Sequence, residues 1–323
     1  MVQSEAKLAW RLFTLNWIPN VVLGLALALG LLLTGFSLRT ESLLFPLGLI
    51  ALFAGAAYGS ALTGRLDSRV PFVFGSVAQL GLMLLLARPV IYIAAAVSLP
   101  MQDANLAYLD RTLGIDWQAY FHFIYDRPTL VAYVVFCYAM IGWPVFAIPV
   151  VLGSSRHYCR LQQFTLAWML ALIATTIISS LLPAIGTYHQ YGIQLDLSRF
   201  NPSNYLIQEH DLPLLRDGAL RVLDSETLGG IITFPSFHAA AAVLYLWALW
   251  SVWWMRPLAL IANVGMLVAT PMGGGHYFVD VFAGIGLAVL AIAAARWVGQ
   301  WLIAGGRRST TAMVIPGAAM PAE

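Results

Sequence analysis

Three ionisable residues stand out in an apolar chain: His238, His276 and Asp280. His238 lies in the stretch Phe234-Pro235-Ser236-Phe237-His238-Ala239-Ala240, and the other two lie in Gly273-Gly274-Gly275-His276-Tyr277-Phe278-Val279-Asp280. His276 and Asp280 are four positions apart, so on a helix they share a face. Asp280 can then accept one imidazole N–H and leave the other ring nitrogen pointing outward. A carboxylate that orients the ring, fixes its tautomer and stabilises the cation formed on attack is what a nucleophilic histidine requires. His238, of the one side-chain type that titrates near neutral pH, is suited to protonate a leaving oxygen. The anionic oxygens of a phosphoryl group need donors. Ser236 and the first amides of the helix it opens form one anion site. The glycine run offers Gly274 and Gly275, where exposed backbone N–H groups could approach a ligand closely.

These residues must be positioned by helices in a bilayer. Of the 323 residues, 60% are hydrophobic and 10% charged, against about 25% charged in ordinary soluble domains. The apolar residues fall in eight runs, roughly 18–38, 43–63, 70–99, 130–153, 164–186, 238–255, 257–271 and 278–303. A span takes about 20 apolar residues, so the run at 257–271 is short, and the run at 70–99 is long and interrupted at Arg88-Pro89. The expectation is an all-α polytopic membrane protein with about eight transmembrane helices. Asp280 falls inside one of these runs, where an ionisable side chain is costly and normally functional.

Charge distribution sets an orientation. With eight spans and a cytoplasmic N-terminus, the inner segments hold Lys7, Arg11, Arg65, Arg69, Arg156, Arg160, Arg256, Arg307 and Arg308. The outer segments hold Asp103, Asp110, Asp116, Asp126, Glu209, Asp211, Asp217, Asp224 and Glu226. This satisfies the positive-inside rule. It puts both histidine motifs on the outer face, joined by one helical hairpin, with both termini inside. A plasma membrane of a bacterium, with the site facing the periplasm or exterior, is the expected location.

The chain divides into an N-terminal segment with two helices (1–69), a membrane bundle (70–303) and a flexible cytoplasmic tail (304–323). Within the bundle, residues 100–129 read as one or two interfacial helices broken at Gly114. Leu106, Leu109 and Leu113 form the apolar stripe there, with Asp103 and Asp110 off it. Residues 187–237 form a long polar outer loop of the kind that is usually functional or disordered. Gly55 and Gly59 make a G-x-x-x-G suited to helix packing. Cys137 and Cys159 have no disulfide or metal partner in view, and no acid or cysteine cluster has ligand spacing, so neither metal nor cofactor is expected. Nor is a nucleic-acid partner expected, and the oligomeric state is not readable.

At the two motifs the chain resembles the phosphatidic acid phosphatase type 2 superfamily, helical bundles with a Pro-Ser-x-His motif followed by His-x-x-x-Asp. The resemblance implies that His276 becomes a phosphohistidine, Asp280 orients it and His238 is the general acid. It also implies a six-helix core, mapping onto spans three to eight, preceded by two extra helices. Phe237 stands where the second motif usually has Gly, and Ala269 and Thr270 stand where the third has Ser-Arg. The first motif, Lys followed after six residues by Arg-Pro, has Gly81 before Arg88-Pro89 and Tyr120 before Arg127-Pro128. The departures at the second and third motifs, with Asp110-Arg111-Thr112-Leu113-Gly114-Ile115-Asp116-Trp117, are similar to the inositol phosphorylceramide synthase branch. Without the usual Lys and Arg, the phosphate needs another cation. Arg221, in the loop leading to His238, is the first candidate; Arg88, about 27 Å along its helix from Val70, is the second, and Arg127 and Arg216 are further ones.

The resemblance implies a phospholipid or lipid-phosphate substrate held in the bilayer. Transfer of a phospho-headgroup of the inositol phosphate type to a lipid alcohol is the leading expectation. Hydrolysis of a lipid or polyprenyl phosphate, with water as acceptor, stays open. A proton-coupled transporter would be expected to show repeat halves, whereas here the motifs cluster at one end of the chain. A vanadate-dependent haloperoxidase would be expected to keep the oxyanion-binding Lys and Arg.

Overall fold

The computed structural model describes residues 2–63 and 69–311, with side chains described over 5–62 and 69–304. The elements run α1 (Val2–Leu15), α2 (Trp17–Thr34), β1 (Ser37–Leu38), α3 (Glu41–Thr63), α4 (Arg69–Ala95), α5 (Asp103–Thr112), α6 (Trp117–Tyr125), α7 (Pro128–Ala139), α8 (Pro144–Ser154), α9 (Tyr158–Leu181), α10 (Thr187–Tyr191), α11 (Ser203–Asp217), β2 (Val222–Leu223), α12 (Phe237–Leu249), α13 (Arg256–Gly273) and α14 (Phe278–Thr311). The described residues are all-α but for β1 and β2, which pair in parallel over two residues each.

Among the described residues, six segments are long and apolar enough to cross a bilayer: Glu5–Thr34, Glu41–Leu62, Arg69–Ala95, Tyr158–Leu181, Trp253–Gly273 and Phe278–Ala304. The pair α7–α8, bent by 62°, makes a seventh if taken as one span. The eighth expected span is α12, which has 13 residues and is thus only about 20 Å long. It can be short because it sits among other helices, not in lipid: Ala239–Ala242 are fully buried. By contrast, α2 and α3 present Val21, Leu25, Leu29, Leu32, Leu44, Phe45 and Leu52 outward, which suits contact with lipid tails. Arg88-Pro89 does not interrupt α4, which runs unbroken to Ala95.

The core is built where α4, α8, α9, α12, α13 and α14 meet, around Phe72, Met83, Phe164, Trp168, Tyr245 and Met266. Small residues set the closest approach. Gly284 of α14 lies so near α12 that a Cβ there would run into the Ser236 carbonyl oxygen and lie 3.0 Å from Ala239 Cβ. With that contact in place, the Ser236 N–H donates to the Asp280 carbonyl at 3.0 Å. The alanine run of α12 and the glycine of α14 therefore bring the two motif-bearing helix starts together.

Gly114, at φ +74°, separates α5 from α6 as the sequence leads one to expect. On α5, Asp103, Leu106, Ala107 and Asp110 are buried against the protein, while Leu109 and Leu113 are exposed. The two aspartates can be buried because each is held by hydrogen bonds, described below. The long polar segment 187–237 is ordered into α10, α11 and β2. Its β2 joins β1, and Arg39 closes on Asp224 at 2.8 Å. At Gly55 and Gly59 a Cβ would meet no heavy atom of the described residues within 4 Å, so no close approach there requires glycine. The last helix carries on to Thr311, so residues 304–311 are helical where a flexible tail is expected. Arg65 and residues 312–323 lie outside the described residues, as do the side chains of Arg307 and Arg308.

Candidate active site

Ser236 opens α12 with extended backbone and caps it, its hydroxyl accepting the Ala239 N–H at 3.3 Å. His238 follows in the first turn. The hairpin of α12 and α13 returns the chain to the same level, which puts the ring centroids of His238 and His276 6.4 Å apart. His276 is 2% exposed and Asp280 wholly buried.

The tautomer of His276 follows from its partners. Its Nδ1 lies 2.9 Å from the Thr233 carbonyl oxygen and 3.3 Å from Asp280 Oδ2. A carbonyl oxygen only accepts, so Nδ1 must carry the proton and donate. Nε2 then holds the free lone pair, and it faces the Ser236 hydroxyl at 3.4 Å. Asp280 Oδ2 also accepts the Tyr277 N–H at 2.9 Å, which fixes the carboxylate as it fixes the ring. An imidazole held in this way can attack an electrophile placed at the α12 N-terminus, where free helix-end amides favour an anion.

His238 is held differently. The Tyr138 ring stacks on it with centroids 3.8 Å apart and planes 10° apart. Its Nε2 is buried and has no hydrogen-bond partner among the described residues. One edge of His238 borders a cavity of about 470 Å³, enclosed by α4, the α7–α8 bend, α9 and the 228–232 segment. The lining is mainly apolar, including Leu84, Ile91, Trp143, Phe146 and Trp168, with Arg88 and Asn204 as polar members.

Two carboxylates of α5 with no site role expected from the sequence, Asp103 and Asp110, tie the segments around the site together. Asp110 receives the Phe278 and Val279 N–H groups at 2.8 and 2.9 Å and so caps α14. Asp103 receives Gly186 N–H at 2.7 Å, Ile185 N–H at 3.1 Å and the Tyr277 hydroxyl at 3.0 Å. Their spacing of seven, two helical turns, was the available signal that they share a face. Burial raises the Asp110 carboxyl above the ordinary aspartate value of 3.8, and the two amides oppose it. Trp117 adds a third tie, its indole N–H donating to the His276 carbonyl at 3.0 Å.

The structure brings together His238, His276, Asp280 and Ser236, and places Arg88 on the adjoining cavity. It does not bring Arg221 there: that guanidinium lies 4.4 Å from the centre of the Phe36 ring, behind the β1–β2 pair. Arg127 packs over Phe123, and Arg216 donates to the Leu99 carbonyl at 2.8 Å. Gly274 is near the trio, but its N–H donates to the Thr270 carbonyl at 3.2 Å and so is not open to a ligand. What the position needs is the missing side chain, because a Cβ there would lie 2.6 Å from His276 Cδ2. Gly275 takes φ +65° and its carbonyl accepts the Thr187 N–H at 2.8 Å. Tyr138, Thr233 and Asp110 had no role assigned from sequence.

Comparison with curated proteins and with solved structures gives no match. A family model does match, the PAP2 superfamily, over residues 104–294, from the start of α5 into α14. That stretch holds nearly all of α5 with the capping Asp110, the bent pair, both histidine motifs and the hairpin between them. It covers more than half of the chain, and the protein is therefore a membrane enzyme of the PAP2 (phosphatidic acid phosphatase type 2) superfamily, whose members are phosphatases or phosphotransferases.

Proposed function

We propose that this enzyme transfers a phosphoryl-bearing group from a lipid through a phosphohistidine on His276, with a lipid alcohol as acceptor. The observation that carries the proposal is the tautomer of His276: Nδ1–H is committed to Thr233 and Asp280, which leaves the Nε2 lone pair toward Ser236 and the start of α12. In the first half, the lone pair forms the N–P bond while the P–O bond to the leaving group breaks. The leaving oxygen takes a proton from His238. In the second half, His238 takes the proton of the acceptor hydroxyl, whose oxygen attacks phosphorus as the electron pair of the P–N bond returns to Nε2. Asp280 stabilises the charge on the ring at both stages.

The motif departures at Phe237, Ala269 and Thr270 favour a phosphodiester donor of the inositol phosphate type. The cavity beside His238, mostly apolar with Arg88 on its wall, supports a lipid chain alongside a phosphate. Hydrolysis uses the same steps with water in place of the alcohol. The basic residues at the far end of the bundle and the acidic ones at the site end support an exterior-facing site.

Purified protein incubated with headgroup-labelled phospholipid, with and without lipid alcohols, tests this reading. An acid-labile protein adduct should form, be lost in His276→Ala and persist in His238→Ala. Wild-type activity in both variants would sink it. If label passed only to water whatever alcohol was offered, the transferase half would fail and the phosphatase half would stand.

A further inference from the structure

Most tyrosine hydroxyls around the site are already committed as donors. Tyr188 donates to the Met272 carbonyl, Tyr120 to the Val268 carbonyl, Tyr277 to Asp103 and Tyr205 to Glu209. Tyr138 is different: its hydroxyl has the Asn204 side chain as a neighbour, and among the described residues it donates to no backbone carbonyl or carboxylate. That hydroxyl also points at the reacting centre. A Cβ built at Gly274 would touch the Tyr138 hydroxyl on one side and lie 2.8 Å from His276 Nε2 on the other. A single carbon-sized gap therefore separates this O–H from the free lone pair. Gly273 serves the same approach, since a Cβ there would run into the Tyr138 ring, 2.8 Å from its Cβ.

Resting on the phosphohistidine reading, we infer that the Tyr138 hydroxyl is a catalytic donor, hydrogen-bonding a non-bridging phosphoryl oxygen as phosphorus moves onto His276 Nε2. Tyr138 keeps its proton throughout, and no bond to it forms or breaks. The role answers the loss of the usual cations, because a neutral donor in a dry site stabilises developing negative charge without charge of its own. It also explains why the chain has glycine at both 273 and 274: any side chain would hold the phenol away from Nε2. The stacked ring orients His238 at the same time, so one residue touches both halves of the reaction.

Tyr138→Phe isolates the hydroxyl, because the ring that stacks on His238 stays. The variant and the wild type are assayed with the lipid substrate and with orthovanadate, which mimics the transferring phosphoryl group. Loss of one such donor should lower kcat by about 100-fold with KM nearly unchanged, and should weaken vanadate inhibition by a similar factor. The melting temperature in detergent checks that the fold is intact. Asn204→Leu, which keeps Tyr138 but removes the polar neighbour of its hydroxyl, should fall between the two proteins. Unchanged kcat and unchanged vanadate inhibition in Tyr138→Phe would overturn the assignment. Failure of the underlying reading looks different: the wild type itself would then form no adduct and would ignore vanadate.

Discussion

Asp110→Ala should loosen the site from a distance and do so measurably. The carboxylate is fully buried and accepts the first two amides of α14, at Phe278 and Val279. Truncation leaves two N–H groups without their acceptor, each costing about 1–3 kcal/mol where water does not reach it. Loss of an N-cap alone costs about 1 kcal/mol. Allowing for water entering the space left by the side chain, we expect about 2–4 kcal/mol in all, or a fall in melting temperature of roughly 5–10 °C for a protein of this size. Asp110→Asn keeps one accepting oxygen but turns an NH2 toward the other amide, so its loss should be about half. Thermal unfolding in detergent reads the stability, and hydrogen exchange at the Phe278 and Val279 amides reads the cap itself. pH adds a second signature. Burial puts the folded Asp110 carboxyl above its ordinary value of 3.8, so the fold disfavours ionisation. Its contribution is fully present below 3.8 and is lost as pH rises through the raised value. The wild type should therefore lose stability relative to Asp110→Asn across that window and hold a constant difference above it. Equal melting temperatures for Asp110→Ala and the wild type, with unchanged exchange at both amides, would refute the capping argument.

Three further outcomes are expected. Asp280→Asn keeps the shape but can present an N–H to His276 Nδ1, which would favour the wrong tautomer; kcat should fall about 10⁴-fold, by analogy with the aspartate of a serine-protease triad, and a loss under tenfold would count against the tautomer argument. Gly274→Ala puts a methyl 2.8 Å from His276 Nε2, so adduct formation should drop to background while secondary structure by circular dichroism stays unchanged. Arg88→Ala should raise KM for the lipid by tenfold or more, whereas Arg221→Ala should leave both kinetic constants close to wild type, because only Arg88 lines the cavity beside His238; the reverse ranking in steady-state kinetics would remove Arg88 from the site.

What could be read from the chain by itself was everything encoded over short distances. Hydropathy runs marked the membrane helices. The four-residue spacing of His276 and Asp280 placed both on one face, and Ser236 signalled a helix start. What the fold alone decided lies across long sequence separations. Asp103 reaches Tyr277 across 174 positions, and Asp110 reaches Phe278 across 168. The second partner of the His276 ring is a backbone carbonyl, at Thr233, which no side-chain pattern can announce. The leucine stripe of α5 gave no sign that Asp103 and Asp110 would be buried. A carboxylate is buried only where donors meet it, and the donors to Asp110 exist only once α14 has docked. Proximity along the chain made Arg221 the favoured cation, yet helix packing turned it to Phe36 and put Arg88, more than a hundred positions upstream, on the wall of the cavity.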